Sequence, residues 1–180
     1  LINALANEGF EIERNIAEME DAFIATYGSG SPVIGFLGEY DALSNLSQIA
    51  DLVEKKPIEE GACGHGCGHH ALGTGSMAAA LAVKQYMLDN NIKGTVKFFG
   101  CPAEERGSGK AFMARAGVFK GVDSMITWHP WTENEIWGTS SLANFQIYFN
   151  FKGKSSHAAA SPHQGRSALD AAELMNVGVN

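Results

Sequence analysis

The chain has 180 residues, enough for one domain or for one domain and part of another. A hydrophobic fraction of 45% with 18% charged residues describes a globular chain with a sizeable core, and excludes a disordered or collagen-like one. The net charge of −7 lacks the basic footprint of a nucleic-acid binder, and no apolar run reaches the roughly 18 residues of a membrane span.

Residues 1–7 read as the end of a helix stopped by Gly9. Residues 10–16 and 22–27 alternate partially, as strands do, and Gly28-Ser29-Gly30 makes a turn. Residues 32–37 form a short apolar run of the kind buried at a sheet centre. Residues 38–68 have little regular pattern and break at Lys55-Lys56-Pro57; a loop of that length is uncommon unless it is functional. The Ala-, Leu- and Met-rich stretch 71–88 predicts a helix ended by Asp89-Asn90-Asn91. A strand over 94–99, a helix over 109–116 closed by Gly117 and a strand over 122–127 follow. This alternation predicts an α/β fold with a mostly parallel sheet flanked by helices.

The texture changes between residues 137 and 141. Residues 144–151 alternate cleanly, as in a sheet with one solvated face, and 167–177 predict a helix. A boundary near residue 141 is expected, giving units 1–141 and 142–180. A unit of about 40 residues is too small to bury its own core, so the chain reads as a fragment that starts a second, smaller α+β unit without completing it. Three cysteines (Cys63, Cys67 and Cys101) are too few and too odd for a disulfide framework, which points to a reduced, cytoplasmic protein. The start carries no basic segment before an apolar run, so no signal peptide is expected.

All six histidines fall into three places, each at a strand end or a helix start. In open α/β sheets, ligands bind beyond the carboxyl ends of the strands. The first cluster is Cys63-Gly64-His65-Gly66-Cys67-Gly68-His69-His70. Thiolate and imidazole are preferred ligands of a borderline-soft divalent ion, and the glycines let several side chains converge. A plain glycine loop and a redox pair are the competing readings, although the cysteines are spaced C-x3-C rather than C-x2-C.

Cys101-Pro102-Ala103-Glu104-Glu105 follows the strand ending at Phe99. Two adjacent carboxylates there suit two tasks, one ligating metal and the other handling a water proton. Alternatively they complement a helix dipole. Trp128-His129-Pro130-Trp131 follows the next strand, and His129 is a further candidate ligand or a structural histidine. Ser155-Ser156-His157-Ala158-Ala159-Ala160-Ser161-Pro162-His163 surrounds His157 with small residues that allow close approach, or forms a tight turn before a helix.

Taken together, Gly38-Glu39-Tyr40-Asp41-Ala42-Leu43, His65-Gly66-Cys67-Gly68-His69, Pro102-Ala103-Glu104-Glu105, Trp128-His129-Pro130 and Ser156-His157-Ala158-Ala159 resemble, in order, the motifs of the M20 metallopeptidases, in particular their amidohydrolase branch. The resemblance spans residues 33–175. It implies a zinc-peptidase-like catalytic domain followed by a lid and dimerisation domain. It implies Cys67, His69, Glu105 and His129 as metal ligands, Glu104 as the general base, and Asp41 beside the metal but behind its ligands. His157 matches a lid histidine that, in family dimers, reaches the partner's site and stabilises the tetrahedral oxyanion. Ser44 departs from the family's proline, and Cys63, His65, His70 and His163 receive no role. The family's last histidine ligand has no counterpart after His163.

The expected activity is hydrolysis of an amide bond in an N-acyl amino acid, dependent on one or two divalent ions per site, zinc or manganese. A dipeptidase of the same fold and a non-catalytic metal-binding relative are the alternatives. The expected partners are a small-molecule substrate and a second copy of the chain or a related subunit, with no nucleic acid and no membrane.

Overall fold

A computed structural model describes residues 1–180. The chain divides into two compact units, Leu1–Trp137 and Gly138–Asn180.

In the first unit, five strands form one sheet: β1 (Glu11–Arg14), β2 (Phe23–Ser29), β3 (Val33–Glu39), β4 (Gly94–Cys101) and β5 (Ser124–Ile126), in the order β1-β2-β4-β3-β5. The helices are α1 (Ile2–Asn7), α2 (His69–Asp89), the single-turn α3 (Glu104–Gly107) and α4 (Gly109–Arg115). The α/β class is the expected one. The sheet is mixed, however, where a mostly parallel one was expected: β4, β3 and β5 run parallel, while β1 and β2 add antiparallel pairings. The reason is local. Only residues 30–32 join β2 to β3, too little chain for a crossover, so β2 runs opposite to β3 and therefore to β4, which lies between them.

Strand β4 is apolar almost throughout because both faces of the sheet are covered. Val96 and Phe98 point to the face packed by α1 and α2, in a core with Leu5, Phe10, Phe23 and Phe36. Phe99 and Cys101 point to the opposite face, with Ile24 and Met113. Helix α2 lies close against the end of β3. A Cβ on Gly73 would stand 2.7 Å from the Glu39 carbonyl oxygen, and the Ser76 hydroxyl donates to the Leu37 carbonyl at 2.7 Å. That approach brings the start of α2 to the carboxyl ends of the parallel strands.

In the second unit, Lys154 and Arg166 form an isolated antiparallel bridge, and α5 (Ala168–Val179) starts at Ser167, whose hydroxyl accepts from the Asp170 N–H. The strand expected over residues 144–151 does not form. Alternation selects which face a strand would bury but supplies no neighbour, and a strand exists only by pairing its backbone. No helix of the chain is long and apolar enough to cross a membrane.

Candidate metal centre

Three parallel strands end on one side of the sheet, and each is followed by polar side chains. Glu39 and Asp41 stand at the end of β3, Glu104 and Glu105 just beyond β4, and His129 beyond β5. Cys67 and His69 arrive at the start of α2, through Gly68 in the left-handed conformation (φ +81°). Cys67 and His129, 62 positions apart in the sequence, therefore meet.

The Cys67 sulfur lies 3.4 Å from His129 Nε2, and ligand atoms of Cys67, His69 and His129 all fall within 4.8 Å of one another. Each imidazole is oriented from behind. His69 Nδ1 lies 3.0 Å from Asp41 Oδ1; a carboxylate only accepts, so Nδ1 carries the hydrogen and Nε2 keeps its lone pair. His129 Nδ1 likewise donates to the Pro130 carbonyl at 2.9 Å, leaving Nε2 free toward Cys67. Asp41 holds a second element as well, because its Oδ2 accepts from the Glu105 N–H at 2.9 Å. One carboxylate thus ties the α2 histidine to the Glu104–Glu105 turn.

Two buried ligand atoms have no hydrogen-bond partner, His69 Nε2 and Glu105 Oε1. Burying such groups unpaired is costly. His69 is fully buried, and its Nε2 stands 3.1 Å from Glu39 Oε2 without the direction of a hydrogen bond. Burial raises the pKa of the Cys67 thiol, and hydrogen bonding and charge from Glu105, then the charges of Glu104 and Glu39, raise it further. Accumulated negative charge around unpaired lone pairs is the environment that a divalent cation relieves. Cys67, His69 and His129 offer it one sulfur and two imidazole nitrogens, a fitting donor set; His69 also gathers with oxygens of Glu39 and Glu104, whereas Glu105 joins neither group.

Glu104 is more open, its side chain 42% exposed, with Oε2 3.9 Å from His69 Nε2. Glu39 and Lys110, which form an ion pair, carried no role in the sequence reading. Glu39 could have been suspected as a carboxylate ending a buried strand, whereas Lys110 could not, because its proximity depends on α4 packing beneath that strand end. Cys63, His65 and His70 are exposed; the rings of His65 and His70 lie 4.9 Å apart. Within the second unit, the exposed His157 accepts at Nδ1 from the N–H groups of Ala159 (3.2 Å) and Ala160 (3.1 Å), which leaves the hydrogen on Nε2.

The loop carrying His129 is seated on α2. The Trp128 indole N–H donates to the Leu72 carbonyl at 3.2 Å, and its ring covers Gly75, where a Cβ would stand 2.7 Å away. Pro130 covers Gly68, where a Cβ would stand 3.0 Å from it. The two seats fix the residue between them, so His129 is aimed by its neighbours.

The family model for peptidase family M20/M25/M40 matches residues 35–171. Over all 180 residues the chain is 52% identical to one of the p-aminobenzoyl-glutamate hydrolase subunits of Escherichia coli K12, covering 37% of that protein. It is 36% identical to a Xaa-Arg dipeptidase of Mus musculus over 143 residues, 78% of this chain and 29% of that protein. Among solved structures it resembles the Bacillus subtilis YXEP protein, described as a dinuclear metal-binding peptidase from the M20 family. That likeness has a TM-score of 0.55 at 28% identity and covers 69% of this chain and 34% of the other. The chain spans less than half the length of these relatives. With its fold, its cluster of unpaired ligand atoms and a family match over most of its length, the chain belongs to peptidase family M20/M25/M40.

Proposed function

We propose that the protein to which this chain belongs is a cytoplasmic, metal-dependent amidohydrolase that cleaves the amide bond of N-acyl amino acids of the p-aminobenzoyl-glutamate type. The observation that carries this reading is the convergence of Cys67, His69 and His129, in which the buried His69 Nε2 has no hydrogen-bond partner; the buried Glu105 Oε1 has none either. In this reading those four residues hold one or two divalent ions, zinc or manganese. Such an ion polarises the scissile carbonyl and makes water acidic enough to ionise near neutral pH.

Asp41 keeps His69 in the ligating tautomer and steadies the turn bearing Glu105. Glu104 takes the proton of the attacking water and delivers it to the leaving amine; its openness and lack of a hydrogen-bonded partner suit a group that must gain and lose a proton. His157, with its hydrogen on Nε2, donates to the oxyanion of the tetrahedral intermediate. Residues 1–141 are assigned to the catalytic domain and 142–180 to the start of a lid and dimerisation domain. Through that lid a second copy, or a related subunit, offers its His157 to this site. The chain is also 33% identical to the other p-aminobenzoyl-glutamate hydrolase subunit of Escherichia coli K12, over 177 residues, which supports a related partner.

A dipeptidase activity is the second reading, favoured by the Xaa-Arg dipeptidase relative. A purely structural metal site fits less well, since closed sites carry no spare carboxylate beside their ligands. The test is a hydrolysis screen of N-acyl amino acids and dipeptides by the full-length protein loaded with each metal, beside Glu104→Gln. Release of the amino acid from p-aminobenzoyl-glutamate, absent in the variant, is the expected result. Cleavage of dipeptides alone selects the second reading, and no cleavage with full metal content rejects both.

A further inference from the structure

The chain has three tryptophans, at positions 128, 131 and 137, all close in sequence to His129. They are not equivalent. Trp128 is spent on seating the loop, with its ring over Gly75 and its N–H on the Leu72 carbonyl. Trp131 and Trp137 anchor nothing of this kind and remain 67% and 53% exposed. Trp137 stacks on the His129 ring at 6.0 Å between centroids and 24° between planes. Trp131 meets Trp137 edge-on at 5.5 Å and 89°. The two indoles therefore form a right-angled corner that begins on one face of a ring whose Nε2 edge points at Cys67, 3.4 Å away.

His129 thus joins the cluster to the corner, its Nε2 facing Cys67 and its ring face carrying Trp137, which puts the corner on the path of an acyl substituent whose carbonyl is held at the cluster. A planar ring there can lie offset on one indole and meet the other edge to face, the two arrangements that aromatic pairs prefer. A short alkyl group covers little of either. Charge selects which end of the substrate enters. Glu133 and Glu135 lie between the two tryptophans in the chain and are exposed, so a substrate carboxylate is repelled from this side and the acyl end is admitted.

We propose that Trp131 and Trp137 form the acyl-group subsite and select planar aromatic acyl groups over small alkyl ones. This rests on the amidohydrolase reading above and adds the residues that choose its substrate.

The test compares kcat/KM of the full-length, metal-loaded protein for N-benzoyl-glutamate and N-acetyl-glutamate in the native form and in Trp131→Ala, Trp137→Ala and Trp131→Phe, with metal content measured in each. The benzoyl-to-acetyl ratio is expected to fall about tenfold in each alanine variant and to be largely kept by Trp131→Phe, at constant metal content. An unchanged ratio, or rates on both substrates falling in step, overturns the subsite. If the native protein cleaves neither these compounds nor p-aminobenzoyl-glutamate, the amidohydrolase reading fails, and tryptophan fluorescence decides the subsite separately. Saturable quenching by N-benzoyl-glutamate, absent with N-acetyl-glutamate and lost in the alanine variants, supports it; no such quenching overturns it.

Discussion

Residues 1–137 and residues 138–180 obey the same hydrophobic logic with opposite outcomes. In the first unit, both faces of the sheet are covered and Phe98, Phe99, Leu5 and Leu72 are sealed from water. In the second, no residue is buried, and Phe145, Ile147, Phe149, Leu169 and Leu174 stand in solvent. A clean apolar pattern thus sets which face wants covering, while the coverage itself comes from another element. The unit that has its covering elements also carries the ligand cluster, because a closed core is what lets lone pairs be buried in fixed positions.

The largest effect that would sharpen this contrast lies in the first unit. Glu104→Gln in the full-length protein is expected to lower kcat by about 10²–10⁴ with metal content unchanged. Glu105→Gln should instead lose metal in a content assay, and equal metal loss in both would reverse the assignment of base and ligand.

Core replacement probes the contrast directly. Phe98→Ala should cost about 3–5 kcal/mol in denaturant unfolding, as expected for a sealed aromatic. Leu174→Ala reports on the second unit. If the complete lid and a partner subunit cover α5, it should cost about 2 kcal/mol or more in the full-length protein. A cost within about 0.5 kcal/mol would leave that face in water and remove the support for a lid interface there.

His157→Ala is expected to lower kcat by about 10²–10³, the usual cost of losing one oxyanion donor. If the residue serves the partner's site, mixing this variant with Glu104→Gln should restore activity from two inactive parents. A mixture that stays inactive after verified subunit exchange would confine His157 to its own subunit or to no role. The smallest effect belongs to the cap of α5: Ser167→Ala removes the hydroxyl that accepts from the Asp170 N–H at 3.0 Å and should cost about 1 kcal/mol, read from thermal unfolding.

Much of the first unit was legible in the sequence. The largely apolar β4 and the Ala-rich α2 carry patterns that leave little choice, and α2 spans His69–Asp89 against an expectation of 71–88. The convergence of Cys67, His69 and His129 was legible because cysteines and histidines are rare and stand here at a helix start and a strand end. Glu39 and Lys110 were missed because an ion pair between β3 and α4 joins residues 71 positions apart and leaves no local trace. The antiparallel flank was missed because alternation is the same in either strand direction. The strand over residues 144–151 was overread for the reason that separates the two units, since its pattern is real and its neighbour is not in the unit. The orientation of His69 and His129 by Asp41 and the Pro130 carbonyl lies beyond any sequence pattern, because it depends on which ring nitrogen carries the hydrogen.

The two seats of the 128–130 loop on α2 have a consequence for which changes of length the protein can absorb. Gly68 and Gly75 are separated by about two helical turns, roughly 10 Å along the axis, and so lie on nearly the same side of the helix. Substitutions between them leave that spacing intact. Inserting or deleting a single residue there turns one seat about 100° away from the other, so Trp128 and Pro130 cannot both dock. Length polymorphism should therefore be absent between the two glycines.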